Sequence, residues 1–119
     1  MRRERPEQTI QRAICDHLRA RGQRNLYWFH AGNGGLRSKV EARIFAGLGI
    51  VAGTPDLILI KDGRTYALEL KAPGGRLSEA QIAAQEALRA AGAAVATCYG
   101  IDDGIKQLEC WQLLHGRVQ

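Results

Sequence analysis

GTPDLILIKDGRTYALELKAPGG, residues 53–75, sets two apolar β-strand patterns around an Asp-Gly pair. Asp-Gly suits the two-residue type I′ hairpin loop, because both loop positions need positive φ. If Asp62 and Gly63 alone form the loop, Lys61 faces Arg64, and stepping outward along the ladder sets Asp56 opposite Glu69. Facing residues of an antiparallel pair share one side of the sheet, with Cβ atoms about 4.5–5.5 Å apart, where like charges repel. Residues i and i+2 also point the same way, so Lys71 joins Glu69 on that side. Farther in on the same face lie Ile58 with Ala67 and Ile60 with Thr65, while Leu57, Leu59, Tyr66, Leu68 and Leu70 take the other. The first strand is expected to open at Asp56, with the charges at the rim of an apolar layer.

Two readings compete for the charged trio. A surface salt-bridge cluster would let Lys71 neutralise one carboxylate while the other points into water, an arrangement worth only about 0–1 kcal/mol. The register favours the alternative. Two facing carboxylates beside a lysine suit a hard divalent cation such as Mg²⁺ or Mn²⁺, which takes one or two carboxylates together with water and a substrate phosphate.

Outside the hairpin, Ile10, Ile14 and Leu18 recur every four residues from Pro6 to about Arg21, which predicts an amphipathic helix begun by proline and stopped by Gly22. LYWFH, residues 26–30, reads as an aromatic strand. A glycine-rich loop follows, then a basic helical segment, RSKVEARIFAGLG, ending at Gly47 or Gly49. LSEAQIAAQEALRAAG, residues 77–92, has Ser78 as N-cap and Gln81 at N3 in a capping box, with Leu77 and Ile82 at the positions of a hydrophobic staple. AVATCYG, residues 94–100, is a strand, and DDGIKQLECWQLL a last helix interrupted in pattern by Gly104. The order α-β-α-β-β-α-β-α predicts an α/β fold, a mixed sheet with helices packed on its faces.

The 119 residues suit one domain, 1–119, with residues 1–5 as a flexible basic tail. Hydrophobic residues at 45% and charged residues at 24% are ordinary for a globular protein. No apolar run approaches a membrane span or a secretory signal, so a cytoplasmic protein without membrane contact is expected. Cys15, Cys98 and Cys110 lack zinc-site spacing and read as buried or half-buried thiols. Seventeen Lys+Arg against twelve Asp+Glu give a formal net charge of +5, which favours a polyanionic partner.

Pro55-Asp56 and Glu69-Leu70-Lys71 across a hairpin resemble the PD-(D/E)xK nuclease superfamily. The surroundings are more specific: HAGNGGLRS, GIVAGTPDLILI, ALELKAPGGRLSEAQ and AAGAAV are similar to the virus-type replication-repair nuclease (VRR-NUC) domain in its short stand-alone form of phages and bacteria, over nearly the whole chain. The resemblance implies a restriction-endonuclease-like core and phosphodiester hydrolysis that leaves 5′-phosphate and 3′-hydroxyl ends. It implies Mg²⁺, for which Mn²⁺ substitutes, on Asp56, Glu69 and the backbone carbonyl of Leu70, with Lys71 orienting or deprotonating the attacking water. Glu7 matches a family glutamate in the first helix, with Gln11 one turn later; its other reading is a first-turn acid favoured by the helix dipole. Gln81 matches the family glutamine, although its capping box already explains it.

Donors for DNA phosphates are expected from His30, Asn33, Gly34, Gly35, Arg37, Lys39 and Arg43, chiefly His30, Asn33, Arg37 and Lys39. For Arg37 and Lys39 a solvated helix face is the alternative. Arg2, Arg3 and Arg5 could form a phosphate-seeking arm or a plain basic tail. Stand-alone relatives imply a homodimer with two symmetric sites, acting on branched DNA such as four-way (Holliday) junctions in DNA repair. Trp111, Leu113 and Leu114 form a candidate interface, with packing on their own sheet as the alternative. Two rival readings remain: a noncatalytic DNA-binding module of the same fold, and a metal-dependent small-molecule phosphohydrolase.

Overall fold

The fold grows from the Asp-Gly turn. Asp62 at φ 53° and Gly63 at φ 76° both take the left-handed conformation that a type I′ loop needs. Asn25 Nδ2 donates to Asp62 Oδ1 at 2.5 Å, and Lys61 Nζ donates to Asp62 Oδ2 at 3.0 Å. These contacts pin the side chain of the turn. The expected register follows, from Lys61 opposite Arg64 to Leu57 opposite Leu68.

The computed structural model describes residues 5–32 and 38–116. Its elements are α1 (Pro6–Arg21), β1 (Leu26–His30), α2 (Lys39–Gly47), β2 (Leu57–Lys61), β3 (Arg64–Lys71), α3 (Glu79–Ala90), β4 (Ala94–Tyr99) and α4 (Ile101–Cys110), in the expected order. The hairpin's first strand begins at Leu57, one residue after Asp56. The last helix begins at Ile101, with the Asp103 carboxylate accepting from the Tyr99 amide at 2.9 Å just before its first turn.

The sheet has the order β1-β2-β3-β4. The first two pairings are antiparallel and β3–β4 is parallel, so the chain must cross over between them, and α3 is that crossover. One face, formed by Leu57, Leu59, Tyr66, Leu68, Leu70 and Cys98, is buried against Ile10, Ile14 and Leu18 of α1 and Leu108 of α4. The apolar stripe read from α1 is therefore its core face. Gly104 has a reason to interrupt α4. A Cβ there would stand 2.8 Å from Ile14 Cδ1 and 3.3 Å from Leu70 Cδ2, so glycine lets α4 settle onto α1 and β3.

Three expectations change. Leu113 and Leu114 are 0% and 5% exposed, and the Trp111 ring tilts against Tyr66 at 5.1 Å, so the C-terminal segment packs on its own sheet and does not offer an interface. Its backbone is tied down as well: the Gln23 amide donates to the Leu113 carbonyl at 2.9 Å. Cys15 and Cys98 are buried, but Cys110 is exposed. Burial raises the Cys15 thiol pKa, and it pushes Cys98 up to about 12 with help from the Asp103 charge. Ile82 stays 45% exposed despite its place in the staple pattern.

The second face is covered at β3 and β4 by α3, where the buried Gln85 donates through Nε2 to Thr97 Oγ1 at 2.8 Å. Gln85 thus packs at the core edge, as read from sequence. No helix among the described residues is long and apolar enough to cross a membrane.

Candidate active site at the wide end of the hairpin

The charged trio gathers where β2 and β3 open away from the turn. Asp56 follows the fully buried Pro55 and leads into β2. Its carbonyl accepts from the Ala31 amide at 3.1 Å and lies 2.7 Å from His30 Nδ1. A carbonyl can only accept, so Nδ1 carries the proton and His30 holds the Asp56 backbone. The Asp56 carboxylate accepts from the Leu70 amide at 2.8 Å, which aims it across the hairpin toward Glu69.

Glu69 departs from expectation. It is 3% exposed, not at a solvent rim, because α3 lies over this part of the face. Its Oε2 accepts from Gln81 Nε2 at 3.2 Å. Burial, together with Asp56 as a neighbouring charge and hydrogen-bond acceptor, pushes its carboxyl pKa up to about 8. Lys71 acts in the opposite direction and Glu7 adds a small upward push. Lys71 is itself buried, at 9% exposure. Among the described residues no ion pair within 4 Å joins it to Asp56 or Glu69, so the salt-bridge cluster does not form.

Gln81 completes its capping box and also reaches Glu69. Its Oε1 accepts from the Ser78 amide at 2.8 Å while its own amide donates to Ser78 Oγ at 3.1 Å, completing the capping box. The carboxamide nitrogen remains for Glu69. Capping therefore fixes the rotamer that presents the donor.

Gly53 presses the loop before Pro55 against this helix start. It adopts φ +78°, and a Cβ would meet the Ala80 carbonyl carbon at 2.4 Å and the Gln81 amide nitrogen at 2.6 Å. Sequence reasoning passed over Gly53 and the backbone role of His30. Gly-x-Pro-Asp was a visible signal for a special backbone position, whereas His30 could be placed only by knowing which carbonyl ends up beside it.

Glu7, exposed in the first turn of α1, reaches the same end of the sheet and accepts from the Ala72 amide at 3.4 Å. Lys39 and Arg43 lie on α2, which has no buried residue, and Lys39 is exposed at its start. Asn33, Gly34, Gly35 and Arg37 lie outside the described residues, as do Arg2 and Arg3. The structure thus gathers Asp56, Glu69, Lys71, Gln81, Glu7 and His30.

The donor chemistry fits a hard divalent cation. Two carboxylates close together and largely withdrawn from water favour keeping one proton between them, and a cation relieves the same repulsion. Among the described residues there is no group of three His, Cys, Asp or Glu side chains placed for metal binding. An ion here would complete its shell with backbone oxygen and water, as Mg²⁺ tolerates and a structural zinc does not.

A mixed sheet carrying Pro-Asp and Glu-x-Lys at one end, flanked by helices, is a restriction-endonuclease-like core. The VRR-NUC domain model matches residues 5–102, and the chain belongs to that family, a family of nucleases. Among solved structures, a VRR_NUC domain protein shares the fold with a TM-score of 0.70 at 21% identity, covering 94% of this chain and 93% of that chain. No curated protein matched the chain.

Proposed function

We propose that this chain is a Mg²⁺- or Mn²⁺-dependent endonuclease that hydrolyses phosphodiester bonds of DNA, acting on branched substrates such as four-way junctions. One observation carries the reading: a buried glutamate faces an aspartate across a hairpin, with a buried lysine two residues on that, among the described residues, forms no ion pair with either acid. A fold needs no such cluster, since burying like charges costs stability. Asp56, Glu69 and the Leu70 carbonyl would hold the cation. When bound, it supplies polarisation of the phosphoryl oxygen and neutralises charge on the leaving oxygen.

Lys71 orients the attacking water and assists its deprotonation. Gln81 holds Glu69, and His30 holds the backbone of Asp56. Glu7 borders the site and positions water or phosphate at the Ala72 amide. The products carry 5′-phosphate and 3′-hydroxyl ends.

We further place a homodimer contact on α2 and the loop after it, in place of the C-terminal segment. Val40, Ile44, Leu48 and Val51 are 65%, 56%, 74% and 60% exposed, an apolar concentration that a second copy would cover. Two sites related by twofold symmetry would suit paired cuts in a branched DNA.

The test is cleavage of four-way and linear DNA with Mg²⁺ by the wild type, Asp56→Ala and Lys71→Ala. Both substitutions should lower the rate by at least about a hundredfold with DNA binding retained. Undiminished cleavage in both variants would overturn the assignment. Binding without cleavage in the wild type would favour a noncatalytic module, and preferential turnover of mononucleotides a small-molecule phosphohydrolase.

A further inference from the structure

A second concavity lies on the opposite face of the sheet from Glu69. Because α1 packs over β3, the edge strand β1 is left with Trp28 only half-buried and His30 exposed on the α1 side. A groove of about 490 Å³ opens there, with Gln8, Gln11, Arg12 and Arg19 of α1 along its wall and Trp28 and His30 along its floor. That volume falls in the range of about 300–1,000 Å³ typical of ligand sites. Among the described residues no acidic side chain lines it.

Three features give the groove its chemistry. Trp28 is half-buried, and the Arg19 guanidinium sits over its ring at 5.6 Å, a flat aromatic and cationic platform. The arginines of α1 add positive charge, although Arg19 also pairs with exposed Asp16 at 3.2 Å. Finally, one end of the groove is His30, whose ring meets the Asp56 backbone at 2.7 Å, so that end adjoins the chain segment that carries a proposed metal ligand. From Gln8 to Arg19 the α1 wall runs about 16 Å at 1.5 Å per residue.

We propose that this groove takes an unpaired nucleotide of the DNA strand flanking the scissile phosphodiester, its base stacked on the Trp28–Arg19 platform and its phosphate held by the α1 arginines. The inference rests on the nuclease reading for the identity of the strand. Stacking on aromatic rings with a cationic backbone track is how single strands are held, and a base inside a duplex offers no free face to such a platform. The groove therefore selects substrates with an unpaired flank.

The chain has two tryptophans, Trp28 and Trp111, so Trp111→Phe leaves Trp28 as the lone indole reporter. With EDTA present to prevent hydrolysis, a short oligothymidine should quench Trp28 emission, and a blunt duplex of equal length should not. Arg19→Ala should weaken oligothymidine binding by about tenfold, within the span that loss of one stacking partner produces. Should Trp111→Phe fail to fold, photo-crosslinking of 5-iodouracil-substituted DNA to the unaltered protein, with the adduct mapped by mass spectrometry, should label Trp28. Silence at Trp28 in both measurements while DNA binding persists by anisotropy overturns the proposal, as does equal quenching by duplex. Cleavage with a silent Trp28 would remove the groove and leave the nuclease; Trp28 quenching without any cleavage would do the reverse.

Discussion

Replacing Glu69 by glutamine should stabilise the metal-free protein while abolishing its activity. Burial and Asp56 raise the Glu69 pKa from 4.5 to about 8, so across that interval the folded state binds a proton that the unfolded state has released. Stability then falls as pH rises from about 4.5 to about 8, because the native state must retain the proton and, above that range, bury a charge. At pH 7, 2.5 units above 4.5, the loss is at most about 3–4 kcal/mol at about 1.4 kcal/mol per unit. Glutamine removes the titration and keeps the local geometry. Its oxygen can accept from Gln81 Nε2, and its nitrogen can donate to Asp56, where two anions otherwise oppose each other.

The assay is urea unfolding of both proteins in EDTA at pH 5, 7 and 8.5. The curves should nearly coincide at pH 5, and Glu69→Gln should be more stable by a few kcal/mol at pH 8.5. Added Mn²⁺ should stabilise the wild type by mass action and leave the variant unmoved. Parallel pH profiles for the two proteins would refute the reasoning, since they would mean that Glu69 is an ordinary solvated carboxylate in the fold.

Other substitutions separate roles that coincide in one residue. Gln81→Glu keeps an acceptor for the Ser78 amide but loses the donor to Glu69, so stability at pH 5 should change by less than about 1 kcal/mol while cleavage falls about 10- to 100-fold. Gly53→Ala combines positive φ with a Cβ 2.4 Å from the Ala80 backbone; it should cost at least about 2 kcal/mol in urea unfolding and lower cleavage at permissive temperature. Leu48→Glu, at a 74% exposed position after α2, should leave stability within about 0.5 kcal/mol and turn a dimer into a monomer by sedimentation velocity. A monomer in the unmodified protein would remove the α2 interface.

The hairpin was legible because a two-residue Asp-Gly loop permits one register, and that register sets which side chains share a face. Helix positions were legible where caps and periodicity agreed, as at Ser78 and at Ile10, Ile14 and Leu18. The depth of Glu69 was not legible, since its position in the strand reveals its neighbours but not the helix that later covers them. The C-terminal segment stayed open between two readings for a related reason. Trp111, Leu113 and Leu114 are apolar enough either for an interface or for a core, and only the ties to Gln23 and Tyr66 decide between them. On α2, a segment with a basic pattern also carries apolar side chains that stay exposed among the described residues, which the pattern of charges alone did not reveal.

The two acids are held by different parts of the chain, which gives the site its physical logic. Asp56 is fixed by the end of β1 through its carbonyl and by β3 through its carboxylate. Glu69 is fixed by the capped start of α3, which Gly53 seats against the loop leading to Asp56. Repulsion between the acids would spread them if either were free to rotate, so anchoring both from separate elements is what keeps a close, uncompensated pair in place. The apolar layer of Leu57, Leu59, Leu68 and Leu70 on the reverse of the same strands supplies the stability that such a pair consumes. The cation we propose there would meet ligands already in position, and relief of their repulsion would add to its binding.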